Sequence, residues 1–203
     1  MITLRKITFV KSSPDVSDCP VSELPEYAFI GRSNVGKSSL INMICNQKIA
    51  KTSSTPGKTQ LINHFMVNDE WYLVDLPGYG FAKINRQVKA TLEPMIAKYI
   101  LERPTLVCLF LLIDIRLEPQ KRDLDFFHFL GKNGIPFHII FTKSDKLTIA
   151  KVDASVESYK KELAEIWETF PTYTITSSEK KIGKEVILGW INAYNKLPVN
   201  TQK

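Results

Sequence analysis

Four short stretches of this chain carry residue types and spacings suited to holding a phosphorylated ligand. Gly31-Arg32-Ser33-Asn34-Val35-Gly36-Lys37-Ser38 fits the spacing G-x-x-x-x-G-K-S. Glycines let a backbone curl around an anion so that successive N–H groups, with the positive end of a following helix, point at its oxygens. Lys37 would neutralise β- and γ-phosphates, and the Ser38 hydroxyl would ligate Mg²⁺. Asp75-Leu76-Pro77-Gly78 adds a carboxylate able to hold Mg²⁺ through water and a glycine N–H able to approach a γ-phosphate. In Thr142-Lys143-Ser144-Asp145, the Asp145 carboxylate can accept two hydrogen bonds from the N1–H and exocyclic amine of guanine, a donor pair that adenine lacks. The aliphatic stem of Lys143 can lie over a base plane while its charge approaches the loop. Thr176-Ser177-Ser178 offers small side chains and N–H groups to the guanine O6.

Each stretch alone could be an ordinary turn; the elements around them give them weight. Tyr27-Ala28-Phe29-Ile30 reads as a strand entering the glycine loop, and an apolar-periodic helix begins at Leu40. Trp71-Tyr72-Leu73-Val74 ends at Asp75, Phe137-His138-Ile139-Ile140-Phe141 ends at Thr142, and Tyr173-Thr174-Ile175 ends at Thr176. Every candidate residue thus follows the end of a predicted strand. Helical stripes are predicted from Val88, Leu92, Met95, Ile96 and Tyr99 before Pro104, and from Leu124, Phe127 and Leu130 before Gly131. Two more follow, from Val156, Tyr159, Leu163, Ile166 and Trp167 before Pro171, and from Val186, Ile187, Trp190, Ile191 and Tyr194. Alternating strands and helices favour an α/β fold with a doubly wound sheet. Leu4 to Val10 is expected to add an edge strand, with Lys11 to Glu23 as a linker. The expected division is an N-terminal strand and linker over 1–20, a nucleotide domain over 21–197 and a flexible tail over 198–203.

Lys51 to Gln60 is rich in turn formers and has no hydrophobic period, so it should move unless a ligand orders it. A threonine hydroxyl on Mg²⁺ would do so. Thr55 and Thr59 both qualify, and Thr59 is preferred because it adjoins the strand-like run Leu61 to Met66. Tyr79 stands where many GTPases carry a water-orienting glutamine. A phenol replaces an amide poorly, so turnover of the isolated chain is expected near the roughly 10⁻⁴ to 10⁻² s⁻¹ of incomplete catalytic sets.

Taken in order, G-R-S-N-V-G-K-S, T-P-G-K-T-Q, D-L-P-G-Y-G-F-A-K, T-K-S-D and T-S-S resemble the EngB (YihA/YsxC) family of bacterial GTPases, from about Val21 to Tyr194. Ser144 and Phe81 depart from the alanine and tyrosine frequent at those places. The resemblance implies a P-loop GTPase that cycles between GTP and GDP with Mg²⁺, folded as a three-layer α/β/α sandwich on a mostly parallel six-stranded sheet with one antiparallel strand. Its contacts would come from Gly31 to Ser38, from Gly57, Lys58, Thr59, Gln60 and Leu61, and from Asp75 to Gly78, Thr142 to Asp145 and Thr176 to Ser178. Lys37, Thr59 and Gly78 would be catalytic, and Ser38, Thr59 and, through water, Asp75 would serve the metal. It also implies a role in assembly of the large ribosomal subunit, with rRNA and ribosomal proteins as partners, and a link to septation. Likeness to potassium-stimulated GTPases implies that Asn34 could ligate K⁺; an asparagine in a tight loop equally serves to tolerate an unusual φ.

The chain has 203 residues, 44% of them hydrophobic, enough for one well-cored domain and short for two. The longest apolar run, Leu106 to Ile113, is far below a membrane span, and the amino terminus has no secretory pattern. Cys19, Cys45 and Cys108 lack metal-ligand spacing and read as reduced thiols of a cytoplasmic protein, expected to be a monomer. Net charge is +6, from 27 Lys+Arg against 21 Asp+Glu. That suits rRNA contact without requiring it, as do the groups Lys48, Lys51, Lys58, Lys83, Arg86 and Lys89, and Lys180, Lys181 and Lys184. Competing functions are a GTPase of the same superfamily with a tRNA or membrane client, and a nucleotide-binding scaffold without turnover.

Overall fold

A computed structural model describes residues 3–50, 60–79 and 86–197, with the side chains of 86–90 excluded. Its strands are β1 (Ile7–Ser13), β2 (Glu26–Gly31), β3 (Ile62–Val67), β4 (Trp71–Asp75), β5 (Leu106–Asp114), β6 (Phe137–Thr142) and β7 (Tyr173–Ile175). Its helices are α1 (Lys37–Cys45), α2 (Arg86–Glu102), α3 (Lys121–Lys132), α4 (Ile149–Leu163) and α5 (Lys184–Tyr194). The strands make one seven-stranded sheet in the order β1-β3-β4-β2-β5-β6-β7. β3 is antiparallel to both neighbours, and every other pairing is parallel. The seventh strand is the added edge strand, which runs from Ile7 to Ser13 rather than from Leu4 to Val10. A register shift between Phe9 and Lys11 lets it follow β3 along its whole length, so the first residues of the expected linker are strand.

Burial on both faces explains the continuous apolar runs of the central strands. Ala28, Ile30, Leu109, Leu111, Ile113, Ile139 and Phe141 pack beneath α2, α3 and α4, against Leu92, Ile96, Tyr99, Phe127, Leu130, Val156, Tyr159 and Leu163. Tyr27, Phe29, Cys108, Phe110, Leu112 and Ile140 face the other way, against Leu40, Ile41 and Ile44 of α1 and Ile187, Leu188 and Ile191 of α5. The period of two in each strand thus sorts its side chains between two apolar layers. Cys19, Cys45 and Cys108 are all buried free thiols.

One helix end and one apolar face differ from expectation. α3 runs through Gly131 to Lys132 and turns at Gly134, whose φ is +61°. Gly131 is needed because a Cβ there would meet the Trp167 ring at 2.6 Å, while the left-handed backbone at Gly134 suits a residue without a side chain. Val186, expected in the apolar stripe of α5, is 51% exposed; Ile187 and Ile191 carry the buried face. Val88 lies among the side chains not described.

Because β2, β4, β5, β6 and β7 run in one direction, their carboxyl ends share one edge of the sheet. Phe29 pairs with Asp75, Gly31 with Leu112, Asp114 with Thr142 and Phe141 with Ile175. At the opposite end, buried Glu26 on β2 accepts from Tyr99 and Arg103 of the α2 region, which pins that helix to the sheet.

Candidate functional site

The glycine loop joins β2 to α1. Asn34 and Gly36 hold φ of +63° and +105°, the left-handed conformations that let the chain reverse within a few residues. Gly36 caps α1 without a side-chain hydrogen bond, so the N–H groups of the first turn are not claimed by a capping side chain. Gly31 is required for a different reason: a Cβ there would lie 2.8 Å from the Leu112 carbonyl oxygen and 2.9 Å from Val35 Cγ1. Lys37, the first residue of α1, is 8% exposed, and its ammonium donates to the carboxylate of Asp75, which is 3% exposed. A cradle of N–H groups with a buried ammonium above it is a geometry that can hold phosphate oxygens.

The T-K-S-D turn bears directly on this loop. Thr142 Oγ1 lies 2.7 Å from the Val35 carbonyl oxygen and 3.1 Å from that of Ile113. Lys143, itself left-handed at φ +62°, reaches back so that its ammonium donates to the Asn34 carbonyl at 2.6 Å and to Asp114 Oδ2 at 2.8 Å. Arg116 donates to both oxygens of Asp114, at 2.9 and 2.8 Å. Burial opposes charge on Asp114, but hydrogen bonds from Arg116 and Lys143 outweigh it and hold the carboxyl below its ordinary range.

Asp145 is oriented from the last strand. Its Oδ1 accepts from Ser177 Oγ at 2.6 Å, and its Oδ2 lies 2.9 Å from Lys146 Nζ with no aligned hydrogen bond. The Ser177 hydroxyl first, and Lys146 after it, lower the Asp145 pKa. Thr176 and Ser177 are fully buried. Thr176 Oγ1 donates to the Phe141 carbonyl at 3.0 Å, and the Ser144 N–H to the Thr176 carbonyl at 3.1 Å. An open cleft of about 1040 Å³ is lined by Gly36, Asn42, Lys48, Thr142, Lys143, Asp145, Ser178 and Lys181, among others. One cavity therefore spans the glycine loop and the T-K-S-D and T-S-S segments.

Asp75-Leu76-Pro77-Gly78 runs beside the loop, with the Leu76 N–H on the Phe29 carbonyl at 3.1 Å and the Tyr79 N–H on the Gly31 carbonyl at 3.2 Å. Gly78 is buried between them. The Tyr79 side chain is 7% exposed and donates to Asp123 Oδ1 at 2.8 Å, turned into the protein. Burial, then the Asp123 charge, pushes its phenol well above the ordinary range, so it stays protonated.

Gly57, Lys58, Thr59 and Thr55 lie outside the described residues, as do Lys51, Phe81 and Lys83. Gln60 and Leu61 are described and exposed. Asn42 clamps the chain just before that segment: Nδ2 donates to the Ala50 carbonyl at 2.9 Å, and Oδ1 accepts from the Ala50 N–H at 2.8 Å. Sequence reasoning missed Asp114, though it ends the apolar run from Leu106 as Asp75 ends that from Trp71. It also missed Asp123, inside an amphipathic helix, which nothing local distinguishes. Among the described residues no cluster of His, Cys, Asp and Glu could hold a metal by itself, and no helix is long and apolar enough to cross a membrane.

A family model described as 50S ribosome-binding GTPase matches residues 26–143. The chain is 57% identical over 193 residues to a probable GTP-binding protein EngB of Porphyromonas gingivalis, covering 95% of this chain and 96% of that one. It is 58% identical over 189 residues to the protein of the same name in Phocaeicola vulgatus, covering 93% and 94%. A crystal structure of a probable GTP-binding protein engB superposes with a TM-score of 0.68 at 24% identity, over 84% of this chain and 98% of that one. A variant of Era from Aquifex aeolicus bound to GDP and AlF4⁻ gives 0.68 at 18% identity, over 88% and 61%. These structural likenesses bear on the fold, and the sequence matches bear on kinship. Together with a buried Lys–Asp pair and a cleft shared by the P-loop and the T-K-S-D turn, they make this chain a P-loop GTPase belonging to the EngB family of GTP-binding proteins.

Proposed function

We propose that the chain binds GTP and Mg²⁺ in this cleft, hydrolyses GTP slowly to GDP, and acts as a nucleotide-controlled switch on the large ribosomal subunit or its precursors. The observation that carries the reading is the Lys143 ammonium on the Asn34 carbonyl, which ties the base-reading turn to the phosphate loop. With that spacing fixed, Asp145 meets guanine while the α1 N-terminus meets phosphates. Oδ2 of Asp145, which lacks an aligned donor, suits one of the two donors of guanine and Oδ1 the other, displacing Ser177.

With nucleotide bound, Lys37 would serve the β- and γ-phosphate oxygens in place of the Asp75 carboxylate, and Asp75 would help hold Mg²⁺ through water. Asp75 already holds a cation, the Lys37 ammonium, and with the Ser38 hydroxyl it offers the hard oxygen donors that fit magnesium; Thr59 is proposed as the third. Mg²⁺, when bound, neutralises charge on the β- and γ-phosphates. Gly78 offers its N–H to the terminal phosphate. Tyr79, committed to Asp123, cannot orient an attacking water, which supports turnover near the roughly 10⁻⁴ to 10⁻² s⁻¹ expected without a complete catalytic set. A partner, or K⁺ beside Asn34, would supply the missing stabilisation.

The ribosomal client is supported by the family description and by the +6 charge. Lys48 and Lys181, exposed at the rim of the cleft, fit an RNA-facing surface next to the nucleotide. A cytoplasmic protein needed for septation, with its G domain over 21–197, completes the proposal. The test is single-turnover GTP hydrolysis with and without large-subunit particles, in Na⁺ and in K⁺. Stimulation by the particles and tighter particle binding with a GTP analogue than with GDP are expected. Equal affinity in the GTP, GDP and empty states would refute the switch.

A further inference from the structure

Asp123 is a carboxylate outside the cleft, 3% exposed, in the first turn of α3, and the chemistry above leaves it without a role of its own. Its two oxygens face two parts of the GTPase machinery. Oδ1 accepts from the Tyr79 hydroxyl at 2.8 Å, and Oδ2 lies 3.7 Å from Arg32 Nη1, an electrostatic contact rather than a hydrogen bond. Tyr79 immediately follows Gly78, and Arg32 immediately follows the first glycine of the phosphate loop. The same two residues meet through the backbone in a parallel bridge, with the Tyr79 N–H on the Gly31 carbonyl at 3.2 Å. Phe126, one turn further along α3, stacks on the Tyr79 ring with centroids 4.5 Å apart and planes 12° from parallel. One turn of helix therefore grips Tyr79 by both its ring and its hydroxyl.

We propose that Asp123 is a positioning residue for GTP hydrolysis: acting through Tyr79 and Arg32, it holds Gly78 at a fixed offset from the phosphate loop, so that the Gly78 N–H is pre-set for the terminal phosphate of GTP. The proposal rests on the reading of Gly78 as a contact to that phosphate. Because GDP has no terminal phosphate, the latch acts on GTP affinity and on the hydrolytic step while leaving GDP affinity alone. A carboxylate that merely satisfied a buried phenol would make no such distinction between nucleotides.

Tyr79→Phe keeps the ring on Phe126 and deletes the hydroxyl, Asp123→Ala deletes the acceptor, and the double variant measures their coupling. Affinities for a fluorescent non-hydrolysable GTP analogue and for fluorescent GDP are read beside single-turnover hydrolysis. Each single variant is expected to lose about tenfold in GTP-analogue affinity and in rate, the scale of one hydrogen bond to a charged group. GDP affinity is expected to stay within about twofold, and the double variant to be no worse than Asp123→Ala. A Tyr79→Phe protein with the parent rate and GTP preference overturns the proposal, as does equal weakening of both nucleotides. If Asp123→Ala does not fold, Tyr79→Phe carries the loss on its own, while Asp123→Asn, which preserves an acceptor for the Tyr79 hydroxyl, should keep most of the parent preference for GTP. Gly78→Ala separates the two layers. If that variant keeps the parent preference for GTP, the reading of Gly78 itself falls; if it loses the preference and Tyr79→Phe keeps it, only the latch falls.

Discussion

Removing the Lys37 ammonium should destabilise this protein even when no nucleotide is present. Lys37 and Asp75 are 8% and 3% exposed and paired with each other, so Lys37→Ala leaves a buried carboxylate without its cation. Breaking a buried ion pair costs about 3–5 kcal/mol when the surviving charge has no recourse. Both side chains keep a few per cent of their surface exposed, so water can reach the surviving carboxylate once the lysine is truncated, and about 2 kcal/mol remains as the working figure. For a domain of this size, about 2 kcal/mol lowers the unfolding midpoint by roughly 4–8 °C. The assay is thermal unfolding of nucleotide-free protein in chelator, for Lys37→Ala, Asp75→Asn and the double variant. Asp75→Asn in the Lys37→Ala background should restore most of the loss, because a neutral amide needs no counter-ion. A Lys37→Ala protein melting at the parent temperature, or a double variant less stable than either single one, would show that the pair contributes nothing in the free chain. Hydrolysis should be abolished by Lys37→Ala in either case.

Other outcomes follow from single sites. Asp145→Asn should weaken GTP by roughly 10²-fold through loss of a charge-assisted contact, while favouring xanthosine triphosphate; competition binding measures both. His138 is buried against Phe110 and Trp190, and burial depresses its pKa to about 4. A histidine depressed in the folded state gives up stability as pH falls below its unfolded value of about 6.5, so the parent should lose about 2 kcal/mol between pH 7 and pH 5. His138→Gln should flatten that slope in denaturant titrations at the two pH values, and an unchanged slope would clear His138 of the effect. Gly131→Ala gains roughly 1 kcal/mol in helix propensity but forces a Cβ into the Trp167 ring, a clash of about 1–3 kcal/mol. The unfolding midpoint should therefore fall, with nucleotide affinity unchanged, and Trp167→Phe in the same background should recover it.

What the sequence made legible were features with a local cause. A glycine pattern between a strand and a helix has one economical geometry, and carboxylates at strand ends share an edge once the strands are parallel. Gly31, Lys37, Asp75, Thr142 and Asp145 could thus be brought together on paper. Less local effects escaped. Gly131 looked like a helix stop because a glycine there usually is one; its actual constraint is an indole from a distant turn. The edge strand was misjudged by three residues because its register is set by β3 and a bulge, neither visible in its own alternation. Asp123 had no signature at all, since its partners, Tyr79 and Arg32, are 44 and 91 positions away along the chain.

The Asn42 clamp on Ala50 and the double pairing of β3, between β1 and β4, have a joint consequence. Residues 51–59 connect a point moored to α1 with a strand bonded along both flanks. Ala50 is thereby moored to the helix beneath the nucleotide cleft, and Ile62–Val67 to a strand on each flank, so the two anchorages belong to the rigid frame of the domain.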